Sequence, residues 1–208
     1  METATFFYFL AASILLTLAP GPDNLYLLTK SLASGARSGI ILAAGLASGI
    51  FFHTLLVVVG VAAFIQSSPV ALGALKIFGA LYLLFLAYGA FKTGRAGKKI
   101  SMKKADSTLS FVAIYRRGVL MNVLNPKVLL FFLAFLPQFV DFSSGFASLQ
   151  ISLLGLTFAI QAFVIFSAIA IGAGKVRKLI LRKKNLGRIL NFVEAAVLAI
   201  IAVTILIF

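Results

Sequence analysis

The sequence predicts an all-α membrane protein with six transmembrane helices, arranged as two antiparallel three-helix halves. Three observations support this prediction. The composition is 62% hydrophobic and only 12% charged, whereas soluble domains are about half apolar and a quarter charged. Six apolar stretches are each long enough to cross a hydrocarbon core of about 30 Å. The basic residues are confined almost entirely to alternate connections between those stretches.

The six stretches set the order of the predicted elements. They cover 4–29, 39–65, 70–91, 118–136, 149–171 and 189–208, and the first is interrupted after Leu18. The N-terminus carries Glu2 where a signal peptide would carry basic residues, so the first stretch is predicted to be a retained span. The longer stretches are expected to tilt or kink.

Seventeen of the 19 Lys and Arg residues lie in the first, third and fifth connections. By the positive-inside rule these connections are cytoplasmic, so both termini are predicted to lie on the periplasmic side. This placement explains most of the net charge of +14. Basic residues beside the membrane are expected to contact lipid headgroups. Nucleic acid is not expected as a partner, because the basic runs are not interleaved with aromatic residues and contain no nucleic-acid-binding motif.

A single transmembrane domain is predicted, with a first half at 1–92, a basic cytoplasmic linker at 93–117 and a second half at 118–208. The halves start on opposite sides of the membrane, as an inverted repeat requires. Proline interrupts the first span of each half. Corresponding interrupted spans are the best sequence indication of a transporter's binding site.

The two interruptions supply most of the candidate substrate and ion pathway. The first break contains Pro20, Gly21, Pro22, Asp23 and Asn24, and the second contains Asn122, Asn125, Pro126 and Lys127. Proline removes a backbone donor, and a broken helix is tolerated in hydrocarbon only where it faces protein or a wet cavity. Both breaks lie at similar estimated depth, so they are expected to face each other with Asp23 near Lys127. If Asp23 and Lys127 form an ion pair, protonation of Asp23 is either coupled to substrate binding or the pair is purely structural, and the sequence leaves both interpretations open.

Two further polar residues in the predicted spans are candidates for the same pathway. His53 shares a stripe with Gly45 and Gly49, a spacing that favours close helix packing. It is predicted either to carry protons or to be a hydrogen-bonded core residue. Lys76 lies on a face of small residues, and it either faces inward or reaches the membrane interface.

An enzyme is not expected, because the sequence contains no motif of nucleophile and base and no zinc-protease motif. The chain has no cysteine and one histidine. A thiolate or multi-histidine metal site is therefore excluded within one chain. No catalytic residue, metal ligand or cofactor is predicted.

Several motifs occur in order along the chain: LAPGPDN (18–24), VGVAA (59–63), LKIFGALYL (75–83), the stretch 111–118 leading to NPK (125–127), and FLPQFV (135–140). Through these motifs the chain resembles the lysine exporter and homoserine/threonine resistance (LysE/RhtB) family over nearly its whole length. The resemblance implies a bacterial inner-membrane exporter of amino acids or close derivatives, driven by the proton gradient and assembled as a homo-oligomer, with a dimer favoured. Many members have glycine where this chain has Ala195 and tyrosine where it has Phe166.

The predicted function is therefore amino-acid export by a multi-pass secondary transporter, with protons as the coupled ion. Two alternatives stay open. The first is an exporter or channel for an inorganic cation, although the lack of cysteine disfavours soft metals. The second is a membrane scaffold or lipid-handling protein that transports nothing.

Overall fold

The computed structural model describes residues 3–60, 69–96, 109–182 and 186–207, and these ranges form helices without any strand. The helices are α1 (Thr3–Leu18), α2 (Pro22–Gly60), α3 (Pro69–Arg95), α4 (Phe111–Val123), α5 (Pro126–Leu130), α6 (Ala147–Arg182) and α7 (Leu186–Ile207). Helix α5 continues as a π-helical turn, Phe131–Phe135, and a 3₁₀ turn, Leu136–Phe139. The predicted all-α class is therefore confirmed.

Four helices in the described ranges are long and apolar enough to cross a membrane. They are Pro22–Gly60, Gly73–Arg95, Ala147–Ala173 and Gly187–Ile207. Helix α4 and the segment Pro126–Phe139 meet at 49° and count as a fifth span if the bent pair is taken together. Helix α1 is apolar but shorter, at 16 residues.

The observed helix ends differ from the predicted ones in two places. The sequence predicts a connecting loop between the first two spans. In the structure the chain stays helical there except at Gly35, whose φ of 84° and ψ of 166° lie outside the helical range. A positive φ is tolerated by glycine because it has no Cβ. Helix α4 begins at Phe111, seven residues before the predicted Gly118, because Ser110 caps it by accepting from Ala113 N at 3.3 Å.

The predicted cytoplasmic linker consequently has helix at both ends. Helix α3 extends through Arg95 and α4 occupies 111–117, while residues 97–108 lie outside the described residues. Most of the loop predicted at 66–69 and residues 183–185 of the fifth connection also lie outside them.

Helices from the two predicted halves pack mainly against each other. Helix α2 contacts α6 and α4, α3 contacts α7, and α1 contacts α6. The α2–α4 crossing is close because glycines face each other there. A Cβ on Gly118 would lie 2.6 Å from Leu42 O and 3.0 Å from Gly45 Cα. Helix α4 therefore packs along the stripe that the sequence identified on α2.

The core beside the breaks is a cluster of phenylalanines. Phe131 stacks with Phe135 at a centroid separation of 4.8 Å and contacts Phe9 and Phe158 at 6.0 and 5.4 Å. Phe9, Phe131 and Phe132 are fully buried. This cluster joins α1, the π-helical turn and α6, so it fixes the positions of the segments that flank both breaks.

A capped turn connects the 3₁₀ segment to α6. Asp141 accepts hydrogen bonds from Ser143 N at 3.0 Å and from Ser143 Oγ. These bonds hold the pKa of Asp141 below its ordinary value. Gln150 on α6 accepts from Asp141 N at 3.0 Å, so the turn is tied to the start of that helix.

Candidate functional site

The first break separates α1 from α2 and leaves the last carbonyls of α1 without helical partners. Asn24 Nδ2 donates to Thr17 O at 2.9 Å and to Ala19 O at 3.3 Å. Lys127 Nζ donates to Ala19 O at 3.0 Å and to Leu16 O at 3.4 Å. The carbonyl end of a helix carries partial negative charge, which favours a cation. Lys127 and Asn24 thus stabilise a helix end that hydrocarbon would not tolerate.

The second break is the bend between α4 and α5. Asn125 N donates to Asn122 O at 2.9 Å, and Asn125 Oδ1 accepts from Lys127 N at 3.0 Å, which caps the start of α5. Pro126 occupies the first turn, where no backbone donor is needed. The sequence asparagine–proline–lysine therefore ends one helix and begins the next within two residues.

One hydrogen bond joins the two breaks directly. Asn125 Nδ2 donates to Asp23 Oδ2 at 2.7 Å, and Lys127 reaches the carbonyls of the first break. Asp23 and Lys127 each follow the proline that begins a helix, and each points towards the opposite break. The structure thus brings together the segments expected to face each other. The recorded hydrogen bonds link Asp23 to Asn125, not directly to Lys127.

These side chains are almost completely enclosed. Asp23 is 6% exposed, Asn125 8% and Lys127 7%. A small cavity of about 20 Å³ between them is also lined by Thr17, Asn24 and Asn122, among other residues. That volume is comparable to a single water molecule. Each buried charged group is hydrogen-bonded, because Asp23 accepts from Asn125 and Lys127 donates to two backbone carbonyls, and this lowers the cost of burying a charge.

A second, much larger cavity adjoins the breaks on the side of α3 and α7. Its volume is about 550 Å³, and it is lined by Gly21, Pro22, Leu25, Phe85, Leu86, Gly89, Ala90, Thr93, Asn125, Pro126, Lys127, Asn191, Glu194 and Leu198. Asn125 and Lys127 line both cavities. They therefore form the wall between the small polar space and the larger one.

Glu194 is a residue of this site that the sequence reasoning missed. Glu194 lies six residues after Arg188, and this spacing taken alone indicates a local ion pair with the basic connection before α7. In the structure α7 packs against α3, and Glu194 faces the large cavity beside Gly21 and Lys127. A sequence signal existed, because an acidic residue within a predicted span is functional by default.

Gly21 leaves the space between these charged groups open. A Cβ added at Gly21 would lie 3.2 Å from Lys127 Nζ and 3.5 Å from Glu194 Oε1. Any side chain at this position would therefore crowd both the Lys127 ammonium and the Glu194 carboxylate. Pro20 lies between Ala19 and Gly21 in the non-helical segment, and it is buried.

His53 lies at the second break, behind the small cavity. Its Nε2 is 3.0 Å from Asn122 O, and because a carbonyl can only accept, this nitrogen carries the proton. The ring is fully buried against Phe132, with the centroids 5.8 Å apart. Nδ1 has no partner among the described residues. His53 therefore supports the bent backbone of the second break.

Lys76 is not brought into this site. It is half-buried on α3 and lines neither of the two cavities. The cavity-lining part of α3 begins at Phe85, nine residues further on, which is about 13 Å along a helix at 1.5 Å per residue. The other predicted pathway residues, apart from Pro20 and His53, each line at least one of the two cavities, and His53 contacts Asn122.

Comparison with known proteins agrees with this architecture. A family model described as LysE type translocator matches residues 14–207. Leucine efflux proteins of Salmonella choleraesuis and Salmonella typhimurium are each 28% identical over 183 residues, which span 88% of this chain and 85% of the relative. The leucine efflux protein of Klebsiella pneumoniae is also 28% identical, over 186 residues. No solved structure matches this chain significantly.

Proposed function

Because the chain belongs to the family of LysE type translocators, which are transporters and not enzymes, we propose that it exports amino acids across the bacterial inner membrane. The efflux relatives are named for leucine, which favours an aliphatic substrate. The observation that carries the proposal is the meeting of two broken helices, bridged by Asn125 and Asp23, beside a cavity of about 550 Å³.

The proposed topology has six spans in two inverted halves. Helix α1 with 22–34 forms the first span, 36–60 begins the second, and α4 with α5 forms the fourth. The pairing of α2 with α6 and of α3 with α7 supports this scheme, because each pair joins equivalent helices of the two halves. Both termini are then periplasmic, and the large cavity lies towards the basic, cytoplasmic ends of α3 and α7.

The proposed substrate site is the large cavity. Lys127 has three N–H donors and uses two of them on Leu16 O and Ala19 O, which leaves one for a substrate carboxylate. Leu25, Phe85 and Leu86 supply an apolar wall suited to an aliphatic side chain. Pockets of this size that combine apolar walls with a few polar groups are typical of small-molecule sites.

The proposed coupling residue is Asp23. It is the carboxylate that joins the two breaks, so its protonation would change the strength of the bond from Asn125 and with it the contact between the halves. A proton entering from the periplasm would weaken this contact, and its release to the cytoplasm would restore it. The proton gradient could thus drive the exchange between inward-facing and outward-facing forms.

Export from proteoliposomes tests this function. The purified protein is reconstituted, the vesicles are loaded with radiolabelled leucine, and a pH gradient is imposed. Wild-type protein should release leucine faster with the gradient than without it, and Asp23→Asn should abolish the stimulation. Asp141→Asn makes the same chemical change on the exposed turn and should retain it. Gradient-stimulated efflux at the wild-type rate in Asp23→Asn would remove Asp23 from the mechanism.

A further inference from the structure

We propose that Glu194 is the residue that receives the ammonium group of the substrate in the large cavity, opposite Lys127, which receives the substrate carboxylate. This inference rests on the proposed amino-acid export and assigns a specificity-determining residue to that site. It also separates two tasks, because Glu194 would select the substrate while Asp23 would respond to protons.

The first argument is the state of the Glu194 carboxylate. The Glu194 side chain is half-buried and lines the cavity. Its carboxylate accepts no hydrogen bond from the described residues. Lys127 directs its recorded hydrogen bonds to Leu16 O and Ala19 O instead. A partly desolvated carboxylate gains most from a charge-assisted hydrogen bond. The substrate ammonium supplies both the charge and the donors.

The second argument is the spacing of the two charged groups. Lys127 Nζ and Glu194 Oε1 lie 3.2 and 3.5 Å from one point, the place of a Cβ on Gly21. This point is free only because residue 21 is glycine. An α-amino acid carries its ammonium and carboxylate on one carbon, and each makes hydrogen bonds of about 2.7–3.2 Å. Lys127 Nζ and Glu194 Oε1 are therefore at most 6.7 Å apart, the sum of 3.2 and 3.5 Å, so the carboxylate and the ammonium of one amino acid can contact both.

The third argument is that Asp23 cannot take this role in the observed conformation. Asp23 lines the small cavity of about 20 Å³ and not the large one. Its Oδ2 accepts from Asn125, and Asn125 and Lys127 form the wall between the two spaces. An amino acid is far larger than the small cavity. The carboxylate that a substrate meets from the open side is therefore Glu194.

The remainder of the cavity specifies the substrate class. Beyond the charged groups, Leu25, Phe85, Leu86 and Leu198 form apolar walls. Among the described residues that line the cavity, Lys127 and Glu194 are the charged ones, and the other polar side chains, such as Thr93 and Asn191, are neutral. A cationic or anionic side chain would lose its hydration there without gaining a partner. The site is suited to an amino acid with an aliphatic side chain.

The competing explanation is that Glu194 only balances the buried charge of Lys127. Analogues that lack one charged group separate the two explanations. The analogue 4-methylpentanoate is leucine without its ammonium, and 3-methylbutylamine is leucine without its carboxylate. If Glu194 binds the ammonium, neutralising it weakens leucine and the amine but spares the acid. If Glu194 only stabilises Lys127, the binding of the acid changes as well.

The experiment measures gradient-driven leucine export from proteoliposomes, with each analogue as an inhibitor. Glu194→Gln should raise the KM for leucine by about tenfold or more, the effect of losing one charge-assisted bond, with kcat changed by less than about twofold. The inhibition constant of 3-methylbutylamine should rise by a similar factor, and that of 4-methylpentanoate should stay constant. Glu194→Asp keeps the charge and should give an intermediate KM.

Three results would overturn the inference. An unchanged KM for leucine in Glu194→Gln would show that the carboxylate does not contact the substrate. Equal losses for leucine and 4-methylpentanoate would assign Glu194 to holding Lys127. Wild-type protein is assayed before the variants. If it exports no amino acid, the proposed function is overturned together with this inference. If Glu194→Gln does not fold, Glu194→Asp and the same analogues decide the matter.

Discussion

Asn125 offers the most direct test of the contact between the two breaks, because its side chain makes two separable hydrogen bonds. Its Oδ1 caps α5 by accepting from Lys127 N at 3.0 Å, and its Nδ2 donates to Asp23 Oδ2 at 2.7 Å. A capping bond contributes about 1 kcal/mol, and a hydrogen bond to a charged group contributes about 1.5–3 kcal/mol. Asn125→Ala removes both, so we expect a loss of about 2.5–4 kcal/mol.

Serine at the same position separates the two contributions. Asn125→Ser keeps a capping hydroxyl but is too short to reach Asp23, so it should lose only the bond across the breaks, about 1.5–3 kcal/mol. The two variants should therefore differ by about 1 kcal/mol. In an Asp23→Ala background the effect of Asn125→Ser should shrink, since its partner is already absent.

The assay is reversible unfolding of purified protein in mixed detergent micelles with increasing dodecyl sulfate. The chain has no tryptophan, so loss of helix is followed by far-ultraviolet circular dichroism. Asn125→Ser with the stability of wild type would contradict the reasoning, because the bond between the breaks would then contribute nothing. An equal effect of Asn125→Ser with and without Asp23 would do the same.

Two further predictions concern the packing around the site. Gly118→Ala should destabilise the protein by about 1–3 kcal/mol, because its Cβ would meet Leu42 O at 2.6 Å. The control Gly73→Ala, with open space around the added Cβ, should be neutral or stabilising in the same unfolding assay. Equal effects of the two variants would be evidence against the close crossing of α2 and α4. His53→Gln keeps a donor near the position of Nε2, so the proposed amino-acid export and its pH profile should persist, whereas His53→Leu should lower the free energy of unfolding by about 1 kcal/mol. Loss of the pH response in His53→Gln would instead indicate a proton carrier.

The positions of the breaks could be predicted from the sequence because their causes are local. Pro20 and Pro22 remove donors from one apolar stretch, and Asn125 before Pro126 caps a new helix in another. The expectation that the two breaks face each other followed from matching depth in spans of opposite orientation. The bond between Asn125 and Asp23 agrees with that expectation.

The remaining features depend on long-range packing that no local pattern encodes. Glu194 enters the site only because α7 packs on α3 beside the breaks, and local spacing pointed to Arg188 instead. Lys76 lies on a face of small residues of α3, yet the cavity begins about two and a half turns further along the helix. Gly35 is one of several glycines in the first half, and only the backbone angles reveal that the chain breaks there.

Substrate protection of a single cysteine tests the central claim, that the large cavity beside the two breaks binds the exported amino acid. The chain contains no cysteine, so Thr93→Cys introduces one reactive thiol on the cavity wall. Thr204→Cys is the control, because Thr204 lines a separate cavity of about 560 Å³ beside α1. Leucine at ten times its Kd should slow methanethiosulfonate labelling of Thr93→Cys about tenfold by simple occupancy and leave Thr204→Cys unchanged. Labelling of Thr93→Cys at the same rate with and without leucine would contradict the account.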